Sequence, residues 1–118
     1  MANIYRGKAI KTKVAGHKSI GLAEDVFEYD SRLEAHCAEI LIKAGIRFKP
    51  HVKFNCFDRE GKTFTYEVDF LFDASQKMLG ISAGIDAIEV KGALSRHDLL
   101  RIAALRFKHN IRTFIVTE

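Results

Sequence analysis

The most constraining stretch of this chain is a pair of alternating runs on either side of Asp58-Arg59-Glu60-Gly61. Before the turn, Phe48, Val52, Phe54 and Cys56 fall on one face of an extended chain, with Lys49, His51, Lys53 and Asn55 on the other. After it, Phe64, Tyr66, Val68, Phe70 and Phe72 alternate with Thr63, Thr65, Glu67 and Asp69. A side-chain period of two around a polar, glycine-containing turn predicts an antiparallel hairpin, since a helix would scatter the same residues around its axis. Pro50 has no amide proton for a ladder, which places the first strand at an edge or has it begin there.

The elements flanking this hairpin follow from their own punctuation. Upstream, Ser31 with Glu34 three residues on has the form of a capping box. Leu33, Cys37, Ile40, Leu41 and Ala44 then recur at helical spacing, and Gly45 is a stop. Glu34 falls beside Leu41 at the edge of that stripe and can face inward, whereas Glu39 and Lys43 fall on the far side. Downstream, residues 73–84 read as a polar loop anchored by Met78 and Leu79, followed by a strand from Ile85 to Lys91. Glu89 and Lys91 share a face of that strand, opposite Ile88 and Val90, and Gly92 breaks it. Ser95 caps a second helix with Asp98 at the box position and a stripe of Leu99, Ile102, Ala103 and Phe107. Asn110 closes that helix in the left-handed conformation, and Ile111 to Thr117 form a last strand. The order is helix, three strands, helix, strand: an α/β fold with a mixed central sheet flanked by helices.

At 118 residues the chain makes one domain. Residues 1–22 read as a basic N-terminal arm, extended or partly ordered, before a single compact domain over residues 23–118. The arm carries Arg6, Lys8, Lys11, Lys13 and Lys18 without an acidic residue up to Ile20. Basic residues return at Arg96, Arg101, Arg106, Lys108 and Arg112. Two basic elements around an acidic centre suit a phosphate backbone, with Lys8, Lys11, Lys13, Lys18 and Arg96 as the contacts, although solvated surface charge gives the same pattern. Cys37 and Cys56 lack metal-ligand spacing and sit in apolar patterns, so both read as reduced core residues. No apolar run suits a signal peptide or a membrane span, so a cytoplasmic protein is expected, with no membrane partner.

The charged residues of the strands carry the chemistry. Pairing of the return strand with the third would put Glu67, Asp69, Glu89 and Lys91 on one sheet face. Taken singly, each has an ordinary reading as a water-facing charge making a weak cross-strand pair. Strongly apolar neighbours (Phe70, Leu71, Phe72, Ala87, Ile88, Val90) instead suggest strands covered on both faces. Carboxylates held there repel one another unless a cation neutralises them, and an oxygen-only set selects Mg²⁺ or Mn²⁺.

Glu34, then Asp69 in Val-Asp-Phe, then Glu89-Val90-Lys91 resemble the PD-(D/E)XK nuclease superfamily, and the resemblance runs from about Asp30 to Thr117. Val68 stands where a proline usually precedes the aspartate. The resemblance implies a restriction-endonuclease-like core and a Mg²⁺- or Mn²⁺-dependent endonuclease that hydrolyses DNA phosphodiester bonds. It implies Asp69 and Glu89 as metal ligands, with the Val90 carbonyl as a third. Glu34 would bind the metal directly or through water, and Lys91 would orient or deprotonate the attacking water. The chain's small size is similar to Holliday-junction resolvases, phage-type endonucleases and transposon end-cutting enzymes, working on duplex or branched DNA as a homodimer in a bacterial, archaeal or phage-infected cell. Two alternatives stay open: a nucleic-acid-binding module on the same scaffold that does not cut, and a small interaction protein with surface charges.

Overall fold

The computed structural model describes residues 10–77 and 84–117. The chain forms two compact units, Met1–Arg47 and Phe48–Glu118.

In the first unit, β1 (Thr12–Val14) pairs antiparallel with β2 (Phe27–Tyr29), Thr12 opposite Tyr29 and Val14 opposite Phe27. The segment expected as an arm is therefore folded from Thr12 onward, with Val14, His17 and Ile20 buried. A short 3-10 helix, His17–Ile20, lies between the strands. Asp25 holds it: one carboxylate oxygen accepts the Gly16 and Lys18 amides at 3.0 and 3.2 Å, and its carbonyl accepts the His17 amide at 3.0 Å. The His17 ring lies between the Asp25 carbonyl, 3.1 Å from Nδ1, and the Tyr29 hydroxyl, 2.6 Å from Nε2. Lys8, placed in the arm by the sequence, lies outside the described residues.

The first long helix, α1 (Arg32–Lys43), packs on β1, β2 and the 3-10 helix. Ser31 caps it, its hydroxyl accepting the Glu34 amide at 3.1 Å. Ile46 N–H donates to Leu41 O and Gly45 N–H to Ile42 O, a Schellman ending that requires the positive φ (+72°) of Gly45. The buried residues are Glu34, Ala35, Ala38 and Leu41, while Ile40 is 54% exposed. The expected stripe is thus rotated toward the alanines, because small side chains let a helix approach closely where larger apolar ones keep it off.

In the second unit, β3 (Phe48–Phe57), β4 (Thr63–Gln76), β5 (Ile85–Lys91) and β6 (Thr113–Thr117) form a sheet in sequence order, antiparallel except for the parallel β5–β6 pair. That pair needs a crossover, which α2 (Arg96–His109) supplies. β3, with Pro50, is an edge. Asp58 Oδ1 accepts the Glu60 and Lys62 amides, both at 2.9 Å, and builds the expected hairpin turn, completed by Gly61 at φ +83°. β4 runs on to Gln76, four residues into the expected loop; its pairing slips between Leu71 and Gln76, which opposes Ile85. Met78 and Leu79 lie outside the described residues. Asp86 fastens this end of the sheet, taking the Ser75 hydroxyl and the Arg112 amide (2.9 Å) and Nε (3.1 Å).

The alternation of β4 changes face once. Tyr66 and Val68 share a cluster with Cys56, Ala87 and the wholly buried Leu105 of α2, and Leu71 packs against it. Val68 and Leu71 are three apart, an odd step that a regular strand cannot place on one side. Phe70 instead pairs with Ile88 of β5 and meets Phe48 edge-on at 5.1 Å. The uniform face expected for Phe64 through Phe72 is thus broken at Asp69. On β3 the corresponding position is His51, with φ +55°, between Pro50 opposite Phe70 and Val52 opposite Val68. A left-handed residue rotates the strand locally, which is how a side-chain set changes sides without an inserted residue.

The buried side of α2 also differs from expectation. Leu105, Ile102 and Ala104 face the sheet. Leu99 is 48% exposed and Phe107 80%. This helix carries apolar residues on two sides, so periodicity alone did not single out the packed one. Among the described residues no helix is long and apolar enough to cross a membrane.

Candidate active site

Within the second unit, β4, β5 and the start of α2 bring together Tyr66, Asp69, Glu89, Lys91 and Asp98. Glu89 follows Ala87 by two residues, which puts it on the α2 side of β5. It is 3% exposed. The Lys91 ammonium lies 3.4 Å from Glu89 Oε2 and 3.4 Å from Asp98 Oδ1. Asp98 is fixed by its helix: Ser95 donates its amide and hydroxyl to Asp98 Oδ2, each at 2.9 Å, and the Asp98 amide donates back to Ser95 Oγ at 3.1 Å. This is the expected capping box, and its free oxygen anchors Lys91.

Asp69 sits where the alternation breaks, and its Oδ2 accepts the Val90 amide at 2.7 Å. The N–H and C=O of an extended residue face the same neighbouring strand, so the Val90 carbonyl opens toward β4 as well. Asp69 and Val90 are thereby joined through the Val90 amide.

Burial pushes the Glu89 carboxyl above its ordinary range; Lys91, the Tyr66 hydroxyl and the Asp69 amide pull it down without cancelling that rise. The Tyr66 hydroxyl is raised too, by burial and then by the charge of Glu89. The Tyr66 hydroxyl and Glu89 Oε1 are both buried, and neither has a hydrogen-bond partner among the described residues. Burial would lower Lys91, yet Glu89 and Asp98 outweigh it and hold the ammonium above the usual lysine value. Asp98 is lowered by the Ser95 hydrogen bonds, with Lys91 adding to them.

The four-charge face expected from the sequence is not formed. Glu67 is exposed and opposite Lys53 of β3, because it precedes the face change and so points away from the Tyr66 side. Glu34 occupies the third position of α1 in the first unit and is buried there. Lys11, Lys13, Lys18 and Arg96 are exposed. Arg106 is exposed and donates from Nε to Asn110 Oδ1 at 3.1 Å. Cys56 is buried and Cys37 half-buried, and neither is in a disulfide.

Tyr66 and Asp98 were not assigned to the site from the sequence. The signal for Asp98 was the capping box seven residues after Lys91. Tyr66 reads as one more apolar strand residue, and only its hydroxyl, invisible to a hydropathy pattern, gives it away. No family model, curated protein or solved structure matches this chain.

Proposed function

We propose that this chain is a divalent-metal-dependent endonuclease that hydrolyses DNA phosphodiester bonds, on a restriction-endonuclease-like core. The observation that carries the reading is Glu89: a buried carboxylate with one oxygen on Lys91 and the other unpartnered. Burying such an oxygen without a partner costs free energy that a bound cation would recover. The donors at hand are oxygens alone (Asp69, Glu89 and the Val90 carbonyl), which fit Mg²⁺ or Mn²⁺. Element order and the parallel β5–β6 crossover support the scaffold.

A divalent cation supplies, when bound, positive charge against the negative charge that develops on the phosphoryl oxygens. Lys91 places a second positive charge beside Glu89, oriented by Asp98, and holds a proton that can be shared with an attacking water or a departing oxygen. The Tyr66 hydroxyl is buried close enough to Glu89 for each to perturb the other. Lys11, Lys13, Lys18 and Arg96 are free to meet the phosphate backbone. Glu34 enters only through the resemblance, and a homodimer would supply the two cuts a junction needs.

One observation favours a second reading. Asp69 Oδ2 is already engaged by Val90, as a structural latch on a scaffold that binds nucleic acid without cutting would require. Cleavage of a labelled four-way junction, linear duplex, nicked duplex and single strand separates the two. The assay is run in Mg²⁺, Mn²⁺ and EDTA with Glu34→Gln, Asp69→Ala, Glu89→Ala and Lys91→Met variants. Metal-dependent cutting lost in the Asp69, Glu89 and Lys91 variants establishes the nuclease. DNA binding retained by all proteins without cutting of any substrate establishes the binding module.

A further inference from the structure

A groove of about 780 Å³ runs between α2 and the β3–β4 hairpin, apart from the carboxylate group. Its apolar wall is Phe57, Phe64, Leu100, Ala103 and Phe107. Phe107 is 80% exposed, the largest exposure among the large apolar residues described, and meets Phe57 edge-on at 6.1 Å. Cations stand over the rings: Lys108 Nζ lies 5.5 Å from the Phe57 centroid, and the Arg101 guanidinium lies 5.1 Å from that of Phe64. Arg59 and Lys62 line the hairpin side with two acids, Glu60 and Asp58, the latter engaged by two amides of its own turn.

We infer that this groove binds single-stranded DNA, with unpaired bases stacked on Phe107 and Phe57 and the backbone tracked by Arg101, Lys108 and the hairpin cations. The inference rests on the nuclease reading and names its substrate class: DNA with an unpaired segment. Exposed aromatic rings interleaved with cations match what such a strand offers, since every base has a π-face and every linkage a negative charge. The arrangement disfavours a second copy of the chain, because two such grooves brought together would face Arg59, Lys62, Arg101 and the neighbouring Lys108 with a second set of like charges. Arg101 stands between groove and site: it lies over Phe64 and, at 5.9 Å, over Tyr66, whose hydroxyl is raised in pKa by the charge of Glu89 after burial.

The test is fluorescence anisotropy of labelled oligo(dT), oligo(rU) and a duplex of equal length, in EDTA so that nothing is cut. Wild type is compared with Phe107→Ala, Lys108→Ala and, as an exposed apolar control outside the groove, Leu99→Ala. Phe107→Ala should weaken oligo(dT) binding at least about fivefold, the smallest loss expected for one stacked base. Duplex affinity should hold within about twofold, and Leu99→Ala should match wild type. An equal loss on duplex, no loss in Phe107→Ala, or tighter binding of oligo(rU) would each overturn the inference. So would a concentration-dependent dimer in sedimentation velocity that Phe107→Ala abolishes while oligo(dT) binding persists. Because binding is read without metal, it is independent of the cleavage assay: duplex cut in Mg²⁺ with no oligo(dT) binding in EDTA sinks the groove and leaves the nuclease standing. Oligo(dT) binding without cleavage of any substrate does the reverse.

Discussion

Asp98 serves α2 with one carboxylate oxygen and Lys91 with the other: Oδ2 closes the capping box on Ser95, and Oδ1 lies 3.4 Å from the Lys91 ammonium. Helix start and site lysine are therefore one unit. Asp98→Asn keeps an acceptor for Ser95 but removes the negative charge, so the Lys91 pKa should fall. Lys91 is raised in the folded state, so its contribution is fully present below the ordinary lysine value and is lost as pH rises through the folded value. The alkaline loss of stability in a denaturation-versus-pH curve should therefore be smaller in Asp98→Asn than in wild type, and complete at a lower pH.

Ser95→Ala removes the cap hydroxyl and should cost about 1 kcal/mol in urea denaturation. If the box also positions Lys91, cleavage by this variant should fall while its DNA affinity does not. A loss of stability with an unchanged cleavage rate would separate the cap from the site.

At Glu89 it is the charged form that opposes folding. Its folded pKa is raised by burial, so its ionisation opposes folding above that value, and the penalty disappears as pH falls below the ordinary carboxylate range. Glu89→Gln should therefore be more resistant to urea than wild type at pH 8, the gap closing in acid. Mg²⁺ should raise the midpoint of wild type by mass action and leave Glu89→Gln unchanged. A wild-type midpoint indifferent to Mg²⁺ and Mn²⁺ would count against the metal site.

Asp86 is held low: burial raises it, but its bonds from Ser75 and Arg112 prevail. Its contribution is present above the ordinary aspartate value and is lost as pH falls through the folded one. Asp86→Asn should flatten the acid limb of the stability curve, and amide exchange should quicken first at Arg112, whose N–H it accepts.

In the first unit, His17 Nδ1 faces a carbonyl and must donate, so Nε2 of the neutral ring accepts the Tyr29 hydroxyl. Tyr29→Phe removes that donor from a fully buried ring and should cost about 1–3 kcal/mol. Chemical denaturation of the variant measures it.

Local punctuation was legible in the sequence. Ser31, Gly45, Ser95, Asn110 and the Asp58–Gly61 turn act through their own backbone neighbourhood, and each does what its residue type dictates. Long-range choices were not. Which side of α2 packs depends on what β3 and β4 present, so Leu105 rather than Phe107 is buried. The face change at Asp69 was equally hidden, because a period-two reading assumes that a strand keeps its sides and His51 gives no hint that it adopts a left-handed conformation. Asp69, Glu89 and Lys91 were legible as charges in apolar strands; the Tyr66 hydroxyl was not, since nothing local demands a partner for it.

The change of sides along β4 makes Asp69 a fulcrum. The segment before it answers to the Leu105 cluster, and the segment after it answers to Phe48 and Ile88. Apolar substitutions can accumulate at either end, each absorbed by its own set of neighbours, while the carboxylate at the crossing stays where it is. Such a strand can drift in sequence along nearly its whole length and still present the same acid at the same height.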